Sequence, residues 1–154
     1  MTDAITAECA SPEPLLSASA VYDHASGGGS IASARAFTAA FLAAAPSVRG
    51  EPVADACVEV AQLVVSELVT NAVRHTDGPC RLLLELRRDA LEISVIDRAA
   101  VAPVPRGHDP RRIGQHGLEI VVAVCESLGV EPDPEGKRVR ARLSLVRTGP
   151  SVRL

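Results

Sequence analysis

The chain has 154 residues, 47% of them apolar and 23% charged, with a formal net charge of −3 and an isoelectric point near 5.8. Those values fit one folded domain with its own core and exclude a disordered chain. The acidic balance and an aromatic content of 2% exclude a surface built for phosphate backbones or for stacking bases. No unbroken apolar run reaches the roughly 18–20 residues of a membrane helix. The start, MTDAITAECASPEP, lacks the basic and then apolar pattern of a signal peptide. The expectation is a cytoplasmic protein with no membrane and no direct nucleic-acid partner. Cys9, Cys57, Cys80 and Cys125 stand too far apart for a zinc or redox motif and read as free thiols.

Residues 1–17, rich in Ala, Ser, Pro and Glu without a period, read as a tail. SASAVYD reads as a short strand and HASGGGS as a turn. IASARAFTAAFLAAA, residues 31–45, reads as a helix capped by Ser30, with Ile31, Ala34, Phe37, Phe41 and Ala45 along one face and Pro46 as its stop. A second helix runs from Val53 to His75, with Cys57, Val60, Leu63, Val64, Leu68 and Ala72 at helical spacing. Thr76-Asp77-Gly78-Pro79 then halts the chain.

CRLLLELRR and LEISVID alternate as strands and form a hairpin. Residues 98–113, with three prolines and four arginines, read as a long loop. GLEIVVAVCESLG reads as a third helix that Gly129 follows, and EPDPEG as a turn. KRVRARLSLV reads as a strand with Val139, Ala141, Leu143 and Leu145 on one face and Arg138, Arg140 and Arg142 on the other. The order predicts an α+β fold: a two-layer sandwich with helices on one face of a mixed, mostly antiparallel sheet. The folded domain is expected over 18–147, with a C-terminal tail over 148–154.

Within SELVTNAVRHT, residues four apart share a helix face. Glu67, Asn71 and His75 therefore form one polar stripe. A carboxylate can orient or deprotonate a hydroxyl. An amide oxygen one turn on is a hard ligand suited to Mg²⁺ shared with phosphates. The spacing alone serves equally well for a solvated helix end.

ELVTNAVRH resembles the Asn-bearing helix motif of the GHKL ATPase superfamily, whose Bergerat fold is shared by sensor histidine kinases and type II topoisomerases. The wording is most similar to the small anti-sigma-factor serine/threonine kinases of actinobacteria, over about Ile31 to Leu145. The resemblance implies ATP and Mg²⁺ as cofactors, with Glu67 as the catalytic base and Asn71 as the Mg²⁺ ligand. It implies that Asp97 accepts the adenine amine. Gly114, His116, Gly117 and Leu118, in GQHGLEIV, match the phosphate-binding glycine motif with one extra residue. The loop 98–113, with Arg98, Arg106, Arg111 and Arg112, matches the ATP lid, and Gly136-Lys137 the final turn. Two positions depart from the pattern: Asp97 is followed by Arg98-Ala99 rather than X-Gly, and Arg138 stands where relatives carry a Thr near adenine.

The expected function is transfer of the terminal phosphate of ATP to a small antagonist protein, with binding of a sigma factor. The alternative is an ATP-dependent protein-binding switch that transfers nothing. Relatives dimerise through the region matching Ile31–Ala45, so a homodimer is possible by resemblance.

Overall fold

A computed structural model describes residues 13–23, 29–75, 78–98 and 113–146, with the side chains of residues 75 and 113–117 excepted. Cys9, most of the expected N-terminal tail, the C-terminal tail, Gly27, Gly28, Ala99 and the lid arginines Arg106, Arg111 and Arg112 lie outside the described residues.

The elements in chain order are β1 (Leu16–Tyr22), α1 (Gly29–Ala43), a short α2 (Ala45–Arg49), α3 (Asp55–His75), β2 (Cys80–Leu86), β3 (Ala90–Asp97), α4 (Ile113–Val124), β4 (Ser127–Asp133) and β5 (Gly136–Ser144). The five strands form one sheet in the order β1-β2-β3-β5-β4, and every pairing is antiparallel. The helices cover one face, giving the expected two-layer α+β sandwich.

Strict alternation builds the inner face of the sheet. Leu82, Leu84, Leu86, Leu91 and Ile93 are all fully buried, and Val95, Val139, Ala141 and Leu143 continue the layer. Fully burying such a side chain contributes about 1.5–3 kcal/mol, so this layer is the main source of stability. From the helix side it meets Ala61, Val64, Val65, Leu68, Val69 and Ala72 of α3. Leu63, expected in that core, is only half-buried, because Val65 and Val69 take the inward positions. By length and composition the stretches Gly29–Arg49 and Asp55–Arg74 would suffice to cross a membrane. Their apolar content is higher than the run-based reading implied, and its inward part packs on the sheet.

Four further expectations are corrected. Ser30 does not cap α1. It lies within the helix, buried, and its hydroxyl donates to the Asp23 carbonyl at 3.1 Å, tying β1 to α1. The inward face of α1 is Ser30, Ala34, Thr38, Phe41 and Leu42, while Ile31 and Phe37 pack at its margin. Pro46 does not end the helical path but sits in the first turn of α2, where its missing N–H costs nothing. Finally, the third helix starts earlier and stops earlier than expected. Cys125 and Leu128 lie beyond it, and Ser127–Asp133 is a strand rather than a helix end and a turn.

The outer face carries no helix among the described residues. It is a lattice of ion pairs: Arg138 with Asp133 at 3.3 Å, Arg140 with Glu131 at 2.9 Å, and Arg142 with Glu92 at 2.8 Å and Glu126 at 3.1 Å. Arg87 also reaches Glu92, at 3.4 Å. Beneath these side chains Ser94 and Ile96 are buried although they face away from the core.

Candidate functional site

Three strand registers place four inward-facing residues in one row at an end of the sheet. Tyr22 pairs with Cys80, Cys80 with Asp97, and Asp97 with Lys137. The row lies one pleat beyond the apolar layer, where Leu82, Val95 and Val139 end it. Tyr22 and Cys80 are buried, and the Asp97 side chain is only 1% exposed. Lys137 Nζ stands 3.7 Å from Asp97 Oδ2, with its side chain 17% exposed.

Cys80 is a poor place for a thiolate. Burial first, then the charges of Asp97 and Asp23, push its thiol up to about 11 from an ordinary value of 9.0. Burial also raises Tyr22, with a smaller push from Cys80. Both groups stay protonated near neutrality.

Gly136 allows the row to close. Its φ is +141°, a region that side-chain-bearing residues rarely adopt, and a Cβ there would overlap the carbonyl oxygen of Asp97. The β5 backbone therefore lies against the Asp97-Arg98 backbone. Arg98, an arginine of the expected lid, is exposed and passes over Gly78, where an added Cβ would meet its Cδ at 3.4 Å.

The helices bring the remaining candidates to the same end. α3 finishes at His75 and the chain reaches Cys80 of the row within a few residues, so the Asn71 end of the helix lies above the row. Glu67 and Asn71 are half-buried, one turn apart, and among the described residues neither makes a side-chain hydrogen bond or ion pair. α1 clasps α3 beside them. Gln62 donates to the Arg35 carbonyl at 3.0 Å, and Arg35 donates to the Ser66 hydroxyl at 3.0 Å. This fixes the rotation of α3 that turns Glu67 and Asn71 away from the core.

α4 runs the other way. It ends just before Ser127, whose strand partner is Arg142 at the far end of the sheet, so its N-terminus points back toward the Asp97 end. Gly114, His116 and Gly117 fall in its first turns, and the side chains of these residues lie outside the described set. Leu118 is half-buried against the core and Val121 fully buried, which anchors the helix. A helix N-terminus presents unpaired N–H groups and a partial positive charge, a fit for phosphate.

The structure thus brings Glu67, Asn71, Asp97 and the start of α4 to one end of the sandwich. Arg138, which replaces the Thr of relatives, points to the outer face with Arg140 and Arg142, as strand alternation predicts, toward Asp133 and Ser94. Strand alternation puts Lys137 against Asp97. Cys80, Tyr22 and Lys137 were missed as site residues, since only the registers reveal them. The signal for Lys137 was present in the strand itself: Val139, Ala141 and Leu143 face inward, and two residues before Val139 is Lys137.

Comparison with known protein families matches residues 29–143 to the histidine kinase-like ATPase domain. No curated protein matches the chain.

Proposed function

Because the chain belongs to the histidine kinase-like ATPase family, an ATP-binding family, we propose that it is a regulatory protein serine/threonine kinase of the anti-sigma-factor type. The observation that carries this reading is the placement of Glu67 and Asn71, one turn apart and half-buried, at the sheet end that holds buried Asp97 and the α4 N-terminus. Asp97 accepts the amine of adenine. The first turns of α4 receive the phosphates, with Gly114 and Gly117 keeping the backbone accessible. The Asn71 amide and the nearby carboxylate are hard oxygen donors, so the site fits Mg²⁺, with Asn71 as the ligand. Magnesium, when bound, supplies neutralisation of phosphate charge.

Glu67 accepts and orients the proton of the substrate hydroxyl, and the rest of the site positions. The acceptor is a serine or threonine of a small antagonist protein, and the second partner is a sigma factor. The site works in the cytoplasm, and the α1 region supplies a homodimer contact.

The test is a thermal-shift titration with ATP and GTP, each with and without Mg²⁺. At a hundredfold excess over Kd, a ligand specific for the native state adds about 2.7 kcal/mol of stability. An ATP-selective, Mg²⁺-dependent shift that Asn71→Ala removes supports the reading. Glu67→Ala should keep binding and lose transfer of labelled phosphate to a protein acceptor. Binding without transfer by the unaltered protein would instead identify a nucleotide-dependent switch.

A further inference from the structure

Asp97 and Lys137 form an unlike pair at the base end of the site, a carboxylate that only accepts hydrogen bonds and an ammonium that only donates. Their separation is 3.7 Å, against about 2.7–2.9 Å for a charge-assisted hydrogen bond. At that distance they attract without spending a hydrogen bond on each other. Both are held by strand register, directly opposite on β3 and β5, and Gly136 lets the two backbones close. The pair is therefore an acceptor beside a donor, both held by the same strand pairing.

We propose that Lys137 is a specificity-determining residue that reads the purine together with Asp97 and widens the base preference to hypoxanthine, the 6-oxo purine without guanine's 2-amino group. The proposal rests on the nucleotide reading above. The 6-amino edge of adenine places a donor at position 6 and an acceptor at N1. The edge of hypoxanthine reverses this, with an acceptor at position 6 and a donor at N1–H. A site with Asp97 alone satisfies only the first. It sets a carboxylate against the oxo group and leaves that group without a donor. Lys137 removes the conflict, since its ammonium donates to N1 of adenine in one pose and to the oxo group of hypoxanthine in the other. Asp97 then accepts from the 6-amine or from N1–H respectively. Burial makes the choice matter, because an unpaired polar group in a closed site discriminates strongly.

The experiment measures calorimetric affinities of ATP and inosine triphosphate, with Mg²⁺, for the full chain and for Lys137→Thr and Lys137→Arg. The expected result is that the two nucleotides bind the unaltered protein within about tenfold of each other, and that Lys137→Thr lowers the ratio of inosine to adenine affinity by about tenfold or more. Lys137→Arg, which keeps a donor, should hold the ratio near its original value. A protein that binds ATP and rejects inosine triphosphate, or a ratio that Lys137→Thr leaves unchanged, overturns the assignment. Binding of neither nucleotide by the folded, unaltered chain overturns the nucleotide reading and this inference with it.

Discussion

Gly136 lies so close to Asp97 that a single added carbon would overlap its carbonyl oxygen, and the backbone of Arg98 is 2.8 Å from the same point. The contact is between backbones, so no side chain can swing aside to relieve it. Gly136→Ala should destabilise the fold by about 2 kcal/mol or more, adding a steric overlap to the cost of positive φ. Gly50, with φ +91° and nothing within 4 Å of an added Cβ, is the control. Gly50→Ala should cost about 1 kcal/mol, the conformational penalty alone. Urea denaturation of both variants checks the difference, and equal losses would remove the close approach as its cause.

The raised thiols make stability pH-dependent on the alkaline side. Cys80 and Cys125 both stand at about 11 in the native protein, against an ordinary 9.0, and burial is the leading cause for each. Above pH 9 the unfolded chain loses these protons and the native chain keeps them. Unfolding then releases protons, so stability should be full below pH 9 and fall progressively between 9 and 11. The urea midpoint followed across that range should drop, and Cys80→Ala should flatten part of the slope. An identical slope in the variant would clear Cys80 of the effect.

The same burial predicts an order of reactivity. Cys80 is 1% exposed and its thiolate is disfavoured, whereas Cys57 on α3 is half-buried. Alkylation in the native protein at pH 8, read by peptide mass mapping, should label Cys57 well before Cys80, and Cys80 only on unfolding. Labelling of Cys80 at the rate of Cys57 would mean that the row opens on the timescale of the reaction.

On the outer sheet face the ion pairs are unequal. Glu92 is 15% exposed and shared by Arg87 and Arg142, whereas Arg140 and Glu131 are each more than 40% exposed. Glu92→Ala leaves two guanidinium groups without their common partner and should cost about 1–2 kcal/mol. Arg140→Ala breaks a solvated pair and should cost about 0.5 kcal/mol or less, a loss that added salt erases. Chemical denaturation at low and high ionic strength separates the two.

Much of this fold was legible because local pattern and burial agree. Leu82, Leu84 and Leu86 take every second position of a β-rich run, and the four-residue spacing of Glu67 and Asn71 marks one helix face without any tertiary information. β4 was not legible. It is an edge strand whose residues are mostly exposed, and Gly129 and Pro132 break any strand pattern, so its pairing with β5 leaves little trace in the composition. The early start of α4 was hidden by Gly114, which read as part of a Gly-rich turn before the helix. The row at the end of the sheet fared worst. It draws one residue from each of four strands, and a shift of one residue in a register would turn any of them outward.

The β3–β5 pairing has a consequence for how the molecule assembles. β2–β3 and β4–β5 are hairpins of neighbours in sequence, with short closures that form quickly. The pairing that joins them spans residues 98–135, with α4 and β4 between, so it carries the larger loop-closure cost and belongs among the slow, non-local steps. Asp97 and Lys137 meet only when that step is complete. A chain stalled as two separate hairpins would hold every residue of the row and still have no row, which ties the candidate site to the final closure of the sheet.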